Sequence, residues 1–329
     1  MPGTSRQRWQ RASSSKHRPC SFQNVFVPSG GTLSPQAMRL HLVDGTYELF
    51  RAHFSRRPAH HAPDGTALKA TVGLVSSLLA LLSDPAERPT HLAVAFDNPI
   101  RSFRNDLFEG YKTEEGVPEE LLSQFDVAEL ATRALGIAVW SMREFEADDA
   151  LATGAARFAP EVEQVRILTP DKDLGQCLRG DRVVQVDRMR GKLIDEPGLR
   201  ALRGIGPESI PDWLALVGDT ADGIPGLLGF GEKGAAAVLA AFRRLEAIPA
   251  DPRAWPDSVR SRDTLARTLA EHREEALLYR TLATLRTDAP VDASLSALEH
   301  RGIPREPFEL FARQVDAPGL LSRVTRWAA

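Results

Sequence analysis

The sequence predicts an α/β protein: a doubly wound, mostly parallel sheet followed by a helical half. Two observations predict the first part. Short apolar runs of strand length alternate with stretches of helical periodicity, and several of those runs end in an acidic residue. A third observation predicts the second part. Beyond about residue 195 no strong strand run remains, and helical segments dominate.

Each element follows from its pattern. "LHLV" (40–43) is the first strand and ends at Asp44-Gly45. Over 65–83, Leu68, Val72, Val75, Leu79 and Leu82 share one helical face. "HLAVAF" (91–96) is a buried strand ending at Asp97. Residues 118–136 read as one helix, with Pro118 at its start and Gly136 after its end. "IAVW" (137–140) is a third strand, and Asp148–Phe158 is a helix. "VRILTPD" (165–171) and "RVVQV" (182–186) complete the strands. Strands alternating with helices imply βαβ units and a parallel sheet. The later helices are expected at 208–217, 234–246, 263–285 and 306–325. The chain therefore divides into an α/β domain, 38–195, and a helical domain, 196–329.

Composition narrows the function classes. A chain of 329 residues with 43% hydrophobic content can bury a sizeable core in one large or two modest domains. Cys20 and Cys177 have no metal-type spacing, which argues against a zinc or disulfide scaffold and for a reducing, cytoplasmic setting. The longest apolar stretch, Val72–Leu82, is broken by Gly73, Ser76 and Ser77, short of the roughly 18 residues of a membrane span. Residues 1–37 carry Arg6, Arg8, Arg11, Lys16 and Arg18 but no acid. They read as a disordered extension or as the result of an upstream start codon, because Met38 directly precedes the first strand, with an organelle transit peptide as the alternative. Removing their five charges takes the net charge from −3 to −8 over 38–329. That acidity needs a reason.

The acids supply one. Ligand sites of open α/β sheets lie at the carboxyl ends of the strands. Asp44, Asp97, Asp171 and Asp173 follow strand candidates, and Glu146, Asp148 and Asp149 open the next helix. Any one of them alone is a turn or a helix cap. Together at one sheet edge they would repel one another and have raised pKa values. Cations remedy this, and all-oxygen ligands suit Mg²⁺ or Mn²⁺. A pair of such ions about 4 Å apart is a standard device for phosphodiester hydrolysis. In the helical half, "LGFGEKGAAAVLAAF" (228–242) is a glycine hairpin opening a small-residue helix. Its Gly229, Gly231 and Gly234 match a dinucleotide fingerprint, but not after a first strand, so that reading fails. Backbone amides there can meet a phosphate, with Lys233 nearby: a helix–hairpin–helix grip on a DNA backbone.

These stretches resemble the 5′-nuclease family: flap endonucleases, phage 5′-exonucleases and the N-terminal nuclease domain of bacterial DNA polymerase I. The matching segments are "LVDGTYELFRA" (42–52), "VAFDNPIRSFR" (94–104), "EGYK" (109–112), "FEADDALA" (145–152), "ILTPDKDL" (167–174) and "LVGDTADGIPGLLGFGEKGA" (216–235). The resemblance runs from Met38 to about residue 290. It implies a PIN-like α/β nuclease domain with a helix–three-turn–helix element. It makes Asp44, Asp97, Glu146, Asp148 and Asp149 ligands of one metal, and Asp171, Asp173, Asp219 and Asp222 the second group. Setting those nine aside leaves +1 on 38–329. Lys112 resembles the lysine beside the scissile phosphate, Arg104 and Arg51 are further phosphate-side groups, and K⁺ is held at the hairpin around Gly229 and Gly231. One position departs from the pattern: Glu115 stands where a basic residue is usual, in the arch through which the 5′ end passes.

The expected function is a metal-dependent 5′→3′ exonuclease and 5′-flap endonuclease in replication and repair. Its expected partners are DNA with 5′ ends or flaps and RNA primers in RNA–DNA hybrids, bound by a monomer away from membranes. No polymerase segment follows residue 329, so a stand-alone nuclease is expected. Two rival readings are a PIN-like ribonuclease, which would lack the hairpin module, and a branched-DNA-binding paralogue that does not cut.

Overall fold

The first strand, β1 (Arg39–Asp44), runs through the middle of the sheet, and four of its six residues are apolar or buried histidine. The computed structural model describes residues 38–87 and 89–329; the basic leader 1–37 lies outside the described residues. After β1 come helices α1 (Gly45–His53) and α2 (Lys69–Ser83), then β2 (His91–Asp97). Helix α3 (Phe125–Ala134) leads to β3 (Ala138–Met142), and α4 (Ala147–Phe158) leads to β4 (Gln164–Leu168). A 3₁₀ turn, Lys172–Cys177, precedes β5 (Val183–Asp187) and the short β6 (Lys192–Ile194). The sheet order is β3-β2-β1-β4-β5-β6, with β6 alone antiparallel.

Alternation along the strands builds two cores. Val43, Leu92, Val94, Phe96 and Val184 face the layer of α1, α2 and α3. Leu40, Leu42, Ala93, Ala95, Val165 and Ile167 face α4. A parallel sheet buried on both faces needs such near-continuous apolar strands. Helix α2 is accordingly buried nearly all round, including Ala70, Leu74, Leu78 and Leu81 outside the expected stripe.

The helical half follows: α5 (Glu196–Arg203), α6 (Ile210–Val217), α7 (Glu232–Phe242), α8 (Arg262–Glu271) and α9 (Arg273–Ala283). Trp213, Leu214 and Leu239 centre its core. The chain then returns. Helix α10 (Arg305–Gln314) and the 3₁₀ turn Pro318–Arg323 pack on the α/β half, with Phe308, Phe311 and Leu320 buried among α2 and α3 residues. The core of the helical half runs to Ala283, while Ala289, Leu295 and Leu298 are buried in the α4-side core of the α/β half.

Three further expectations need correction. The helix expected over 118–136 is two pieces, Glu119–Leu122 and α3. Between them buried Gln124 turns its Oε1 to the start of α2, accepting from the amides of Ala70 and Thr71 at 3.0 and 3.1 Å. That satisfies donors left orphaned at a helix start. The helix expected over 263–285 breaks at His272. Strand β6 was not expected, because "KLI" is too short to show alternation. Among the described residues no helix is long and apolar enough to cross a membrane.

Candidate active site

The acids of the strand ends do two jobs at once. Asp44 caps α1, accepting the Tyr47 amide at 2.8 Å, while the Thr169 hydroxyl donates to its other oxygen at 2.9 Å. Glu146 caps α4 in a reciprocal capping box with Asp149. Asp171 caps the 3₁₀ turn, accepting the Asp173 amide at 2.9 Å. Asp97 ends β2 and accepts the amide of Ala147, the first residue of α4, at 2.6 Å. Helix starts and parallel strand ends coincide in this topology, so capping acids collect on the edge where ligands bind.

The second group comes from both halves. Asp173, Asp219 and Asp222 offer carboxylate oxygens within 4.8 Å of one another, and among the described residues no other three ligand-type groups do so. Asp173 Oδ1 is buried without a hydrogen-bond partner. The loop that carries Asp219 and Asp222 is clamped to the segment carrying Lys112. The Lys112 amide donates to the Asp222 carbonyl at 2.9 Å, and a Cβ on Gly223 would lie 2.2 Å from the Gly110 carbonyl oxygen.

Electrostatics reflect the crowding. Burial, with Asp97 and Asp171 nearby, pushes Asp44 up to about 7 against the hydrogen bonds from Tyr47 and Thr169. Burial and then Asp171 push Asp148 and Asp173 well above the usual carboxylate range. Burial and neighbouring acids bring Asp222 to about 6 despite Lys112, and raise Asp97 too. Glu146 goes the other way: burial opposes its charge, but Lys112, Arg104 and the Ser102 hydroxyl outweigh it and hold the carboxyl at about 2. Lys112 Nζ stands 2.9 Å from Glu146 and 3.0 Å from Asp222. The same acids raise its pKa well above the ordinary lysine value, although burial acts to lower it.

Three expected site residues, Arg104, Asp149 and Arg51, are not in the open cluster. Arg104 is 1% exposed and holds both oxygens of Asp149 at 2.7 Å. It also donates to the carbonyls of Leu282 and Thr284, at 2.7 and 3.2 Å, where α9 ends. A guanidinium spent this way has no face for a phosphate. Asp149, 0% exposed, accepts in addition the amides of Glu146 and Arg286 at 3.0 and 2.8 Å. Its carboxylate is turned from the metal side into a strut between α4 and the helical half. Arg51 is ion-paired with Glu48 and donates to the Ser77 hydroxyl at 3.2 Å. The hairpin has the expected form. Gly229 takes φ +91°, Gly231 is the N-cap of α7, and Lys233 is exposed in its first turn. Phe230 is buried beneath while Leu228 is 89% exposed at the tip. Glu115 is exposed and, among the described residues, unpaired.

Sequence reasoning passed over four supporting groups. The Ser102 hydroxyl donates to Glu146 at 2.6 Å and the Tyr111 hydroxyl at 3.2 Å; Thr169 holds Asp44; Lys172 pairs with Asp219. All four lie inside the quoted segments, beside the residues singled out.

The donor set fits divalent cations: all carboxylate oxygens, most of them buried, several with raised pKa values, one oxygen unpartnered. Fold and site define an open α/β protein with a carboxylate cluster suited to divalent ions at its strand ends. Family models described as "5'-3' exonuclease, N-terminal resolvase-like domain" and "5'-3' exonuclease, C-terminal SAM fold" match residues 39–201 and 205–306. The chain belongs to the 5′–3′ exonuclease family. It is 34% identical over 294 residues to DNA polymerase I of Bacillus caldotenax, covering 85% of this chain and 32% of that one. It is 36% identical over 265 residues to DNA polymerase I of Rhizobium leguminosarum, covering 79% and 26%. The chain thus spans about a third of the length of these relatives. Among solved structures, the T5 D15 protein co-crystallised with metal ions matches with TM-score 0.59 at 18% identity, covering 87% of this chain and 99% of that one. The catalytic core of Rad2 in complex with DNA substrate matches with TM-score 0.58 at 14% identity, covering 88% and 93%. At such identities these two define the fold.

Proposed function

We propose that the chain is a metal-dependent 5′→3′ exonuclease and 5′-flap endonuclease acting on DNA. The observation that carries this reading is the trio of buried Asp173 and Asp219 with half-buried Asp222, Asp173 Oδ1 being unpartnered, at the sheet edge shared with Asp44, Asp97, Glu146 and Asp148. The trio would hold one divalent ion, Mg²⁺ or Mn²⁺, and the other four acids a second, with Asp171 between the groups. When bound, such ions neutralise phosphate charge and acidify a water.

The chain's own residues do the rest. Lys112, still 23% exposed, places positive charge beside the phosphate as negative charge develops on it. Ser102 and Tyr111 fix the Glu146 carboxylate from two sides. The Gly229–Gly231 hairpin and Lys233 grip the duplex behind the cut through its phosphates, and K⁺ held by hairpin carbonyls belongs to the same reading. Solved neighbours co-crystallised with metal ions or in complex with DNA support this assignment. The polymerase relatives support a role in replication and repair; flaps, and RNA primers in RNA–DNA hybrids, are the substrates this reading gives the chain. We take the protein to act as a cytoplasmic monomer, with 38–195 cutting and the helical part from 196 gripping.

A 5′-labelled flap assay tests this. Cleavage is expected with Mg²⁺ or Mn²⁺ and none with EDTA. Asp171→Ala should bind the flap without cutting it. Metal-independent cleavage, or full activity in that variant, would overturn the mechanism. Preferential cutting of single-stranded RNA would point to a ribonuclease instead.

A further inference from the structure

The last carbonyls of a helix have no partner within the helix, and backbone groups just beyond it need partners too. Where α9 ends, three side chains of the α/β half bond one backbone group from each of the five residues 282–286. Arg104 donates to the carbonyls of Leu282 and Thr284, and Asp149 accepts the Arg286 amide. Gln176 fills the places between. Its Nε2 donates to the Ala283 carbonyl at 3.0 Å, and its Oε1 accepts the Leu285 amide at 3.0 Å.

A third bond sets Gln176 apart. Its Nε2 also donates to the carbonyl of Asp173 at 3.0 Å. A primary amide has two N–H donors, so both carbonyls can be served at once. Gln176 lies in the 3₁₀ turn Lys172–Cys177, the same turn that carries Asp173. One side chain therefore fastens this acid-bearing turn of the α/β half to the end of α9.

The far side of that joint leads back to the cluster. Helix α9 packs along α6, and α6 ends at Val217, two residues before Asp219. The trio is drawn from both halves: Asp173 from the turn, Asp219 and Asp222 from the loop after α6. Its oxygens lie within 4.8 Å of one another, so a small slip between the halves would spread them. We infer that Gln176 is a positioning residue: by tying the main chain of Asp173 to α9, it holds Asp173 at coordinating distance from Asp219 and Asp222 and so sets the trio's affinity for a divalent ion. The inference rests on the nuclease reading and deepens it. Groups that orient a metal ligand are worth about 10–100-fold in metal affinity. Gln176 acts on the main chain of the ligand and not on its carboxylate, which favours the lower end.

Isothermal titration of the protein with Mn²⁺, without DNA, tests it. Gln176→Met keeps the length of the side chain and removes all three bonds. It should weaken one ion about tenfold, leave the other within about twofold, and lower Tm by a few degrees. The weakened ion should be the one that Asp173→Asn loses, so adding Gln176→Met to that variant should cost no further affinity. Gln176→Asn keeps the amide but is too short to span both halves; it should show the same selective loss, and it carries the test if Gln176→Met does not fold. Gln124→Met is the control: that amide is 0% exposed and bonds Ala70, Thr71 and Glu120, none of them a site acid. It should lower Tm and leave both ions as in the wild type. Unchanged Mn²⁺ affinities in the Gln176 variants would overturn the inference, as would an equal loss in Gln124→Met or an additive loss on top of Asp173→Asn. A wild type that takes up no Mn²⁺ would instead overturn the metal-dependent nuclease reading.

Discussion

Arg104→Ala separates a phosphate-binding arginine from a structural one. In the structure Arg104 is a buried strut, bidentate to Asp149 and bonded to two carbonyls at the end of α9. Burial alone would lower its pKa, but Asp149 and Glu146 raise it, so it stays charged. Removing one partner of such a pair leaves a buried carboxylate uncompensated, at about 3–5 kcal/mol. Asp149 keeps its bonds from the Glu146 and Arg286 amides, which favours the lower end. At a few degrees per kcal/mol, Tm should fall by roughly 10 °C. Thermal unfolding followed by circular dichroism reads this directly. Arg104→Lys keeps the charge but not the fork, and should lie between the two. A Tm within about 2 °C of wild type, with cleavage lost, would refute the strut and return Arg104 to the substrate.

Other perturbations follow from the same contacts. Lys112→Ala should bind flap DNA yet cut about a hundredfold or more slowly in single-turnover assays, the size expected for one preorganised charge; unchanged kcat would remove it from the site. Glu115→Arg should raise cleavage most at low salt, since an exposed acid in the strand's path is screened by ions; no change would mean the arch tolerates either sign. Asp173→Asn should raise Tm in EDTA, because it removes a crowded buried carboxylate, and should abolish any Tm gain on adding Mn²⁺; a lower Tm in EDTA would contradict the crowding. Burial opposes the charge on Glu87, but His41 and Arg166 outweigh it and hold the carboxyl at about 2. Its contribution is present above the unfolded value near 4.5 and lost as pH falls through 2, so Glu87→Gln should cost stability at pH 7, roughly half as much or less at pH 3, and little below pH 2; an equal cost at pH 7 and pH 2 would refute the assignment.

The strands and their acids were legible because each depends on a few consecutive residues. Asp44, Glu146 and Asp171 even satisfy the humbler reading, since each does cap a helix or turn. What the sequence could not show was which of the neighbours Asp148 and Asp149 faces the cluster. Asp149 is drawn away by Arg104, and Arg104 is fixed by a carbonyl 178 residues further on. Nothing local encodes that. The same holds for the return of α10 onto α2 and α3, and for Gln124 breaking an otherwise continuous helical pattern to reach α2.

Asp149 also alters the charge argument. The excess acidity of −8 on residues 38–329 was matched to nine site acids, but Asp149 is cancelled by its own arginine. Eight acids then remain at the cluster, and setting them aside leaves the rest of 38–329 with no net charge. A neutral remainder cannot hold a polyanion by its total charge, so the grip must come from where the cations stand. Among the described residues 13 of 30 arginines are ion-paired with nearby carboxylates and are locally silent. Arg57, Arg188, Lys192 and Arg323 beside α1 and α2 make no ion pair among the described residues, nor does exposed Lys233 on the glycine hairpin. The two patches come from different halves of the chain, so a strand held by both would be presented to the carboxylates from two directions.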